Sequence, residues 1–142
     1  MTKHRRGQSM VEILFSLAAM IVFVTSAAGI TTMVEKSVSE MTQEMQAITV
    51  AEEGIQASIS IADRAWSALA VGTHGLAISG SAPIDWIYSG TSDAANGFTR
   101  VITISSVDAD TVKVDVVVTW KPEPNRTASI KEQVLLTDWA FI

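Results

Sequence analysis

Few residues in this chain could do chemistry, and their surroundings decide what kind. Glu12 is a lone acid at the opening of an apolar run, because Ile13 to Val34 contains no charged residue and no proline. A carboxylate in a membrane segment costs about 2–3 kcal/mol at the bilayer centre and less near an interface, and by default it marks function. His74 is the single histidine beyond the first seven residues. It sits in a Gly-flanked stretch with no cysteine partner and reads as an exposed loop side chain rather than a ligand or base. Asp108-x-Asp110 lacks the further oxygen ligands of a calcium loop and reads as a hairpin turn. Asn125-Arg-Thr127 fits a glycosylation sequon, a frequent chance match. Glu52-Glu53 reads as a solvated helix face, with docking of a neighbouring molecule as the sharper alternative. The chain has no cysteine, which removes disulfides, thiolate zinc sites and thiol catalysis. No nucleophile is paired with a base. The expectation is a protein that is not an enzyme and uses no cofactor and no metal.

The element that positions Glu12 is a helix. The 22 residues from Ile13 to Val34 would span roughly 33 Å, enough to cross the hydrocarbon core. Ser16, Thr25, Ser26, Thr31 and Thr32 are tolerable there because their hydroxyls can bond back to helix carbonyls. Lys3, Arg5 and Arg6 precede the run, which predicts a cytoplasmic N-terminus and an exported body. An ordinary cleaved secretory signal fits less well. Its apolar core is shorter, and Ala27-Ala28-Gly29 is a weak cleavage site. The 142 residues carry a net charge of −5. Without residues 1–7 there remain seven Lys and Arg against 15 Asp and Glu, a net of −8. Phosphate affinity comes mostly from Lys and Arg, so no general nucleic-acid binding is expected. Arg100, Lys113, Lys121, Arg126 and Lys131 share the C-terminal half with eight acids.

Arg5-Arg6-Gly7, then Gln8-Ser9-Met10-Val11-Glu12, then the apolar run, resembles the class III signal of type IV pilins and pseudopilins. The resemblance covers roughly the first 30 residues. It implies that a prepilin peptidase cuts between Gly7 and Gln8, on the cytoplasmic side. It implies that Glu12 is the assembly glutamate, which in the family pairs with the free α-amino group of a neighbouring subunit. Gln8 departs from the commoner Phe or Met at the first mature position, which bears on its N-methylation. The implied partners are other pilin subunits, the peptidase, an inner-membrane assembly platform and the lipid bilayer. The implied location is a single-pass inner-membrane protein that ends in an extracellular or periplasmic filament. The missing C-terminal cysteine pair points toward a minor pilin or type II secretion pseudopilin rather than a major pilin. The rival is a monomeric membrane-anchored extracellular binding domain.

The remainder of the chain predicts an α+β fold. Val34, Val38, Met41, Met45, Ile48, Ile55, Ile59, Ala62, Trp66 and Leu69 form a stripe of threes and fours, broken once by Glu52. One helix is therefore expected from about Gln8 to Leu69, membrane-spanning in its first half and packed by a head in its second. Gly29 and Gly54 are its weak points, each costing about 1 kcal/mol against alanine. In the family a helix breaker, commonly proline, stands near the position of Gly29. Phe98–Ser106, Val112–Lys121 and Ile130–Phe141 read as strands, with Val112, Val114, Val116, Val118 and Trp120 on one face. The resulting segments are a basic leader 1–7, a transmembrane helix 8–34, its amphipathic continuation 35–70, a connecting loop 71–97 with one or two short extended pieces, Leu76–Ser79 and Trp86–Tyr88, and an antiparallel sheet 98–142 of three to four strands packed on the helix. Trp66, Trp86, Trp120 and Trp139 read as core and loop anchors.

Overall fold

A computed structural model describes residues 5–80 and 85–138, with side chains from Met10 onward. The chain divides into two units, Met1–Met41 and Thr42–Ile142. The first is helical throughout its described part. It belongs to α1, Arg5–Arg64, whose first half is long and apolar enough to cross a membrane. Ser16 donates to the Glu12 carbonyl at 2.8 Å, Ser26 to Val22 at 2.7 Å and Thr31 to Ala27 at 3.1 Å. These back-bonds remove the hydroxyls' need for water, so polar residues can sit in an apolar helix.

The second unit is the expected α+β head. α1 ends at Arg64, earlier than the expected Leu69, where Ala65 turns extended (φ −155°, ψ 99°). A single 3-10 turn, Trp66–Ala68, follows. The sheet has six strands, more than the three to four expected: β1 Gly72–Ser79, β2 Asp85–Ser89, β3 Asp93–Ala95, β4 Phe98–Ser106, β5 Thr111–Glu123 and β6 Arg126–Thr137. Their order is β2-β1-β4-β5-β6, with β3 beside β4, and all pairs are antiparallel. The expected loop 71–97 therefore holds three strands. Its Gly, Ser and Ala residues carry little strand propensity of their own, and cross-strand pairing, of β1 and β3 to β4 and of β2 to β1, supplies what the local sequence lacks. β5 runs on to Glu123 through a register shift between Trp120 and Glu123, so Pro122 bends the strand rather than ending it. Trp139 and the expected strand end at Phe141 lie outside the described residues.

The valine alternation on β5 holds. Val112, Val114, Val116 and Val118 are buried with Ile102 and Ile104 of β4 against the helix. The helix face is not the expected one. Ala47, Val50, Ala51, Gly54, Ala57, Ser58 and Ile61 face the sheet, while Met45 and Ile48 are exposed and Ile55, Ile59 and Ala62 are half-buried. The reason is close approach. A Cβ on Gly54 would stand 3.0 Å from Val116 Cγ1 and 3.1 Å from Arg100 Cδ. Only a face of small residues lets the helix lie this near the sheet.

Candidate functional site: the apolar helix and the charged seams of the head

In the N-terminal unit, α1 is apolar and exposed on every side from Met10 to Val34. Glu12 opens this stretch and lines a shallow groove with Ile13, Ser16, Leu17 and Met20. No side chain among the described residues pairs with its carboxylate. A group of this kind needs a counter-charge before it can enter lipid. Gly7 and Gln8 lie within the helical span by backbone, and their side chains lie outside the described residues.

In the head, Arg100 is the residue whose role the sequence did not reveal. It reads as one more surface base, yet β4 carries it on the inner face, where its side chain is 3% exposed. Its guanidinium donates to Asp93 from two nitrogens, at 2.7 and 3.2 Å. It also donates to Glu53 at 3.1 Å and to the Val50 carbonyl at 3.1 Å. Asp93 accepts the Leu76 N–H at 3.0 Å as well. One cation thus ties α1, β1, β3 and β4 together. Its signal in the sequence is the alternation Phe98, Arg100, Ile102, Ile104, which puts the arginine in an apolar row. Glu52 and Glu53 part company: Glu53 reaches inward to Arg100, and Glu52 stays in solvent.

The outer face of the sheet carries a second cluster. Asp115 is buried between Lys113 Nζ at 3.2 Å and Lys131 Nζ at 3.3 Å. Burial pushes its pKa up, the two ammonium groups pull it further down, and the net is a lowered value. The Lys131 contact is ionic, because Oδ1 makes no hydrogen bond of good geometry.

His74 is not a loop residue. It lies in β1, half-buried, with its ring 5.0 Å from that of Tyr88 and Nε2 2.7 Å from the Ala70 carbonyl oxygen. Burial raises the Tyr88 pKa, and neighbouring Ser58 offsets part of this. Ser58 Oγ itself donates to the Gly54 carbonyl at 2.8 Å, and Tyr88 Oη is buried without a hydrogen bond of good geometry. Two open grooves flank the end of α1, of about 360 and 320 Å³, one beside Trp66 and the other beside Trp86. Arg64 borders both, and it pairs with Asp85 and the Trp86 carbonyl. Asp108 and Asp110 form the β4–β5 turn, in which the Val107 and Asp108 N–H groups donate to the Thr111 carbonyl. No group of three or more His, Asp or Glu among the described residues is placed to hold a metal ion.

In comparisons with known proteins, no family model, no curated protein and no solved structure matches the chain.

Proposed function

We propose that the chain is a structural subunit of a type IV filament, a minor pilin or type II secretion pseudopilin. It would enter the membrane as a single-pass protein, lose its leader to a prepilin peptidase and assemble through its N-terminal helix. One observation carries this reading: Glu12 is the fifth residue after Gly7, the position of the assembly glutamate in the family, and it opens a helix that is apolar on every side.

The chemistry is electrostatic. Before cleavage, Gln8 has no free amine. Cutting after Gly7 removes Lys3, Arg5 and Arg6 and creates an ammonium at Gln8. A neighbouring subunit then offers Glu12 the counter-charge it lacks, and pairing lowers the cost of keeping both groups in lipid. Cleavage thereby doubles as permission to assemble. The apolar helix surface supplies the remaining contact between subunits.

N-terminal sequencing and intact mass of the protein from its producing cell test the reading. A mature chain beginning at Gln8 is expected, and Gly7→Val should leave it uncut. Glu12→Val should still insert and be cut, but should enter filaments less. A wild-type chain that keeps Met1 or Thr2 would sink the proposal in favour of a plain membrane anchor.

A further inference from the structure

The head carries two complementary faces on opposite sides. On α1, Glu44, Ile48, Glu52 and Met45 fall within about 100° of arc, turned away from the sheet. All four are exposed, Met45 by 64%. On the outer sheet face, Lys113 lies opposite Leu135 and Lys131 opposite Val117, with Asp115 between the two rungs. Leu135 is 61% exposed, and the Lys113 and Lys131 side chains are both partly in solvent. One face carries exposed apolar residues edged by acids. The other carries exposed Leu135 and half-buried Val117 beside two bases.

Glu44 and Glu52 are eight residues apart, about 12 Å along a helix. Lys113 and Lys131 start four rungs apart on the strand pair, but their ammonium groups converge on Asp115, at 3.2 and 3.3 Å, and present one compact positive cluster between those rungs. Asp115 neutralises one of the two lysines and leaves the cluster with one net positive charge. Each ammonium has three donors and gives at most one to Asp115, so both can still reach an acid on a neighbour.

We propose that the outer sheet face of one copy, centred on Lys113 and Lys131, docks on the Glu44–Glu52 helix face of a second copy. The partner is this same chain, because it bears both faces and their charges are opposite. Two different patches on opposite sides of one molecule join copies head to tail rather than as a two-fold dimer, and their repetition generates an open-ended row wherever the rotation between copies does not close a ring. The proposal rests on the filament-subunit reading and gives it a contact outside the membrane. Exposed ion pairs are individually weak. Repetition along a row compensates, and the contact should loosen as salt rises.

The chain has no cysteine, so introduced thiols report cleanly. Full-length Met45→Cys and Gln133→Cys, which leave all five charges in place, are produced together in the native cell and treated with a short bismaleimide. A crosslinked dimer is expected from this pair. None is expected from Gln46→Cys with Gln133→Cys, since Gln46 lies about 100° further round the helix. Glu52→Lys and Lys131→Glu should each lower the sedimentable filament fraction several-fold, and the double variant should recover it. Unchanged tryptophan emission in each variant shows that the head is folded. Absence of the 45–133 crosslink, or a double variant no better than the singles, overturns the docking. So does capture of a different protein by Gln133→Cys. Cleavage and sedimentation without that crosslink keep the filament reading and remove the docking. A crosslink in a chain still uncut at Gly7 keeps the docking and removes the filament reading.

Discussion

Replacing Asp93 by alanine should damage the head far more than the same change at Glu53, although both acids bond the same arginine. The Asp93 side chain is 15% exposed and makes two bonds to Arg100, besides accepting the Leu76 N–H. Its loss leaves a buried guanidinium facing one half-exposed carboxylate and one carbonyl. Breaking a buried pair costs about 3–5 kcal/mol. The lower end applies here, because Glu53 and Val50 still hold the cation. The Glu53 side chain is 46% exposed and makes one contact at 3.1 Å, so its loss should cost no more than about 1 kcal/mol. The difference of ~2 kcal/mol corresponds to about 10 °C in melting temperature for a head of this size. All four tryptophans lie in the second unit. Their fluorescence during urea unfolding of the full chain in detergent therefore reports the head. Equal midpoints for Asp93→Ala and Glu53→Ala would refute the ranking. An Asp93→Ala chain within about 1 kcal/mol of wild type would show that Arg100 does not depend on its ion pairs.

Gly54→Ala should lower head stability despite the gain of about 1 kcal/mol in helix propensity, because overpacking against Val116 and Arg100 costs about 1–3 kcal/mol. A raised urea midpoint would mean that the seam can yield. Val116→Asp places a charge in the fully buried row beneath Gly54 and should abolish the cooperative transition. Asp115→Ala, on the opposite face, should keep the transition and shift it only modestly, because two lysines lose their shared partner. The Asp115 pKa lies below its ordinary 3.8. A depressed acid stabilises the folded state above its unfolded pKa, so this contribution is whole above about pH 4–5 and fades as pH falls through 3.8 and below. Acid titration of Asp115→Ala against wild type should show the two converging there, and a constant gap would contradict the assignment.

Much of the head was legible because its determinants are local. β4 and β5 are rich in β-branched residues, β6 alternates apolar and polar positions from Ile130 on, and the period-2 row of valines on β5 names its buried face. Between residues 72 and 95 only the short extended pieces Leu76–Ser79 and Trp86–Tyr88 were legible, and they fall in β1 and β2; the rest of those strands and all of β3 were not. Gly72, Ala94 and Ala95 carry no strand signal, and they become strands only because β4 offers them partners, as β2 does for Gly75. The helix face was misread for a related reason. Large apolar residues look like core in a sequence, but here the core side had to be small so that the helix could approach Val116. Met45 and Ile48 were thus free to face outward. Arg100 could be placed on the inner row by spacing, whereas its acids, 47 and seven residues away, could be paired with it only in three dimensions. Nothing in the sequence of the head bears on the role proposed for Glu12, which rests on register alone.

The connectivity of the head also sets the order in which it closes. β4 and β5 are joined by four residues, 107–110, and β5 and β6 by two, 124–125, so the three longest strands meet through short loops. The helix seam is different: the Arg100 contact with Val50 encloses 50 residues. Short loops form before long ones, because less chain entropy is lost in closing them. The meander should therefore form first, as a curved plate whose valine row is still wet, and the helix should settle on it last. The same order in reverse describes opening. Amide protons in the middle of β5 should exchange most slowly, and those of residues 47–61 should be released first, in step with one another. The seam that Gly54 makes so close is then the latch of the head, while the sheet behind it remains intact.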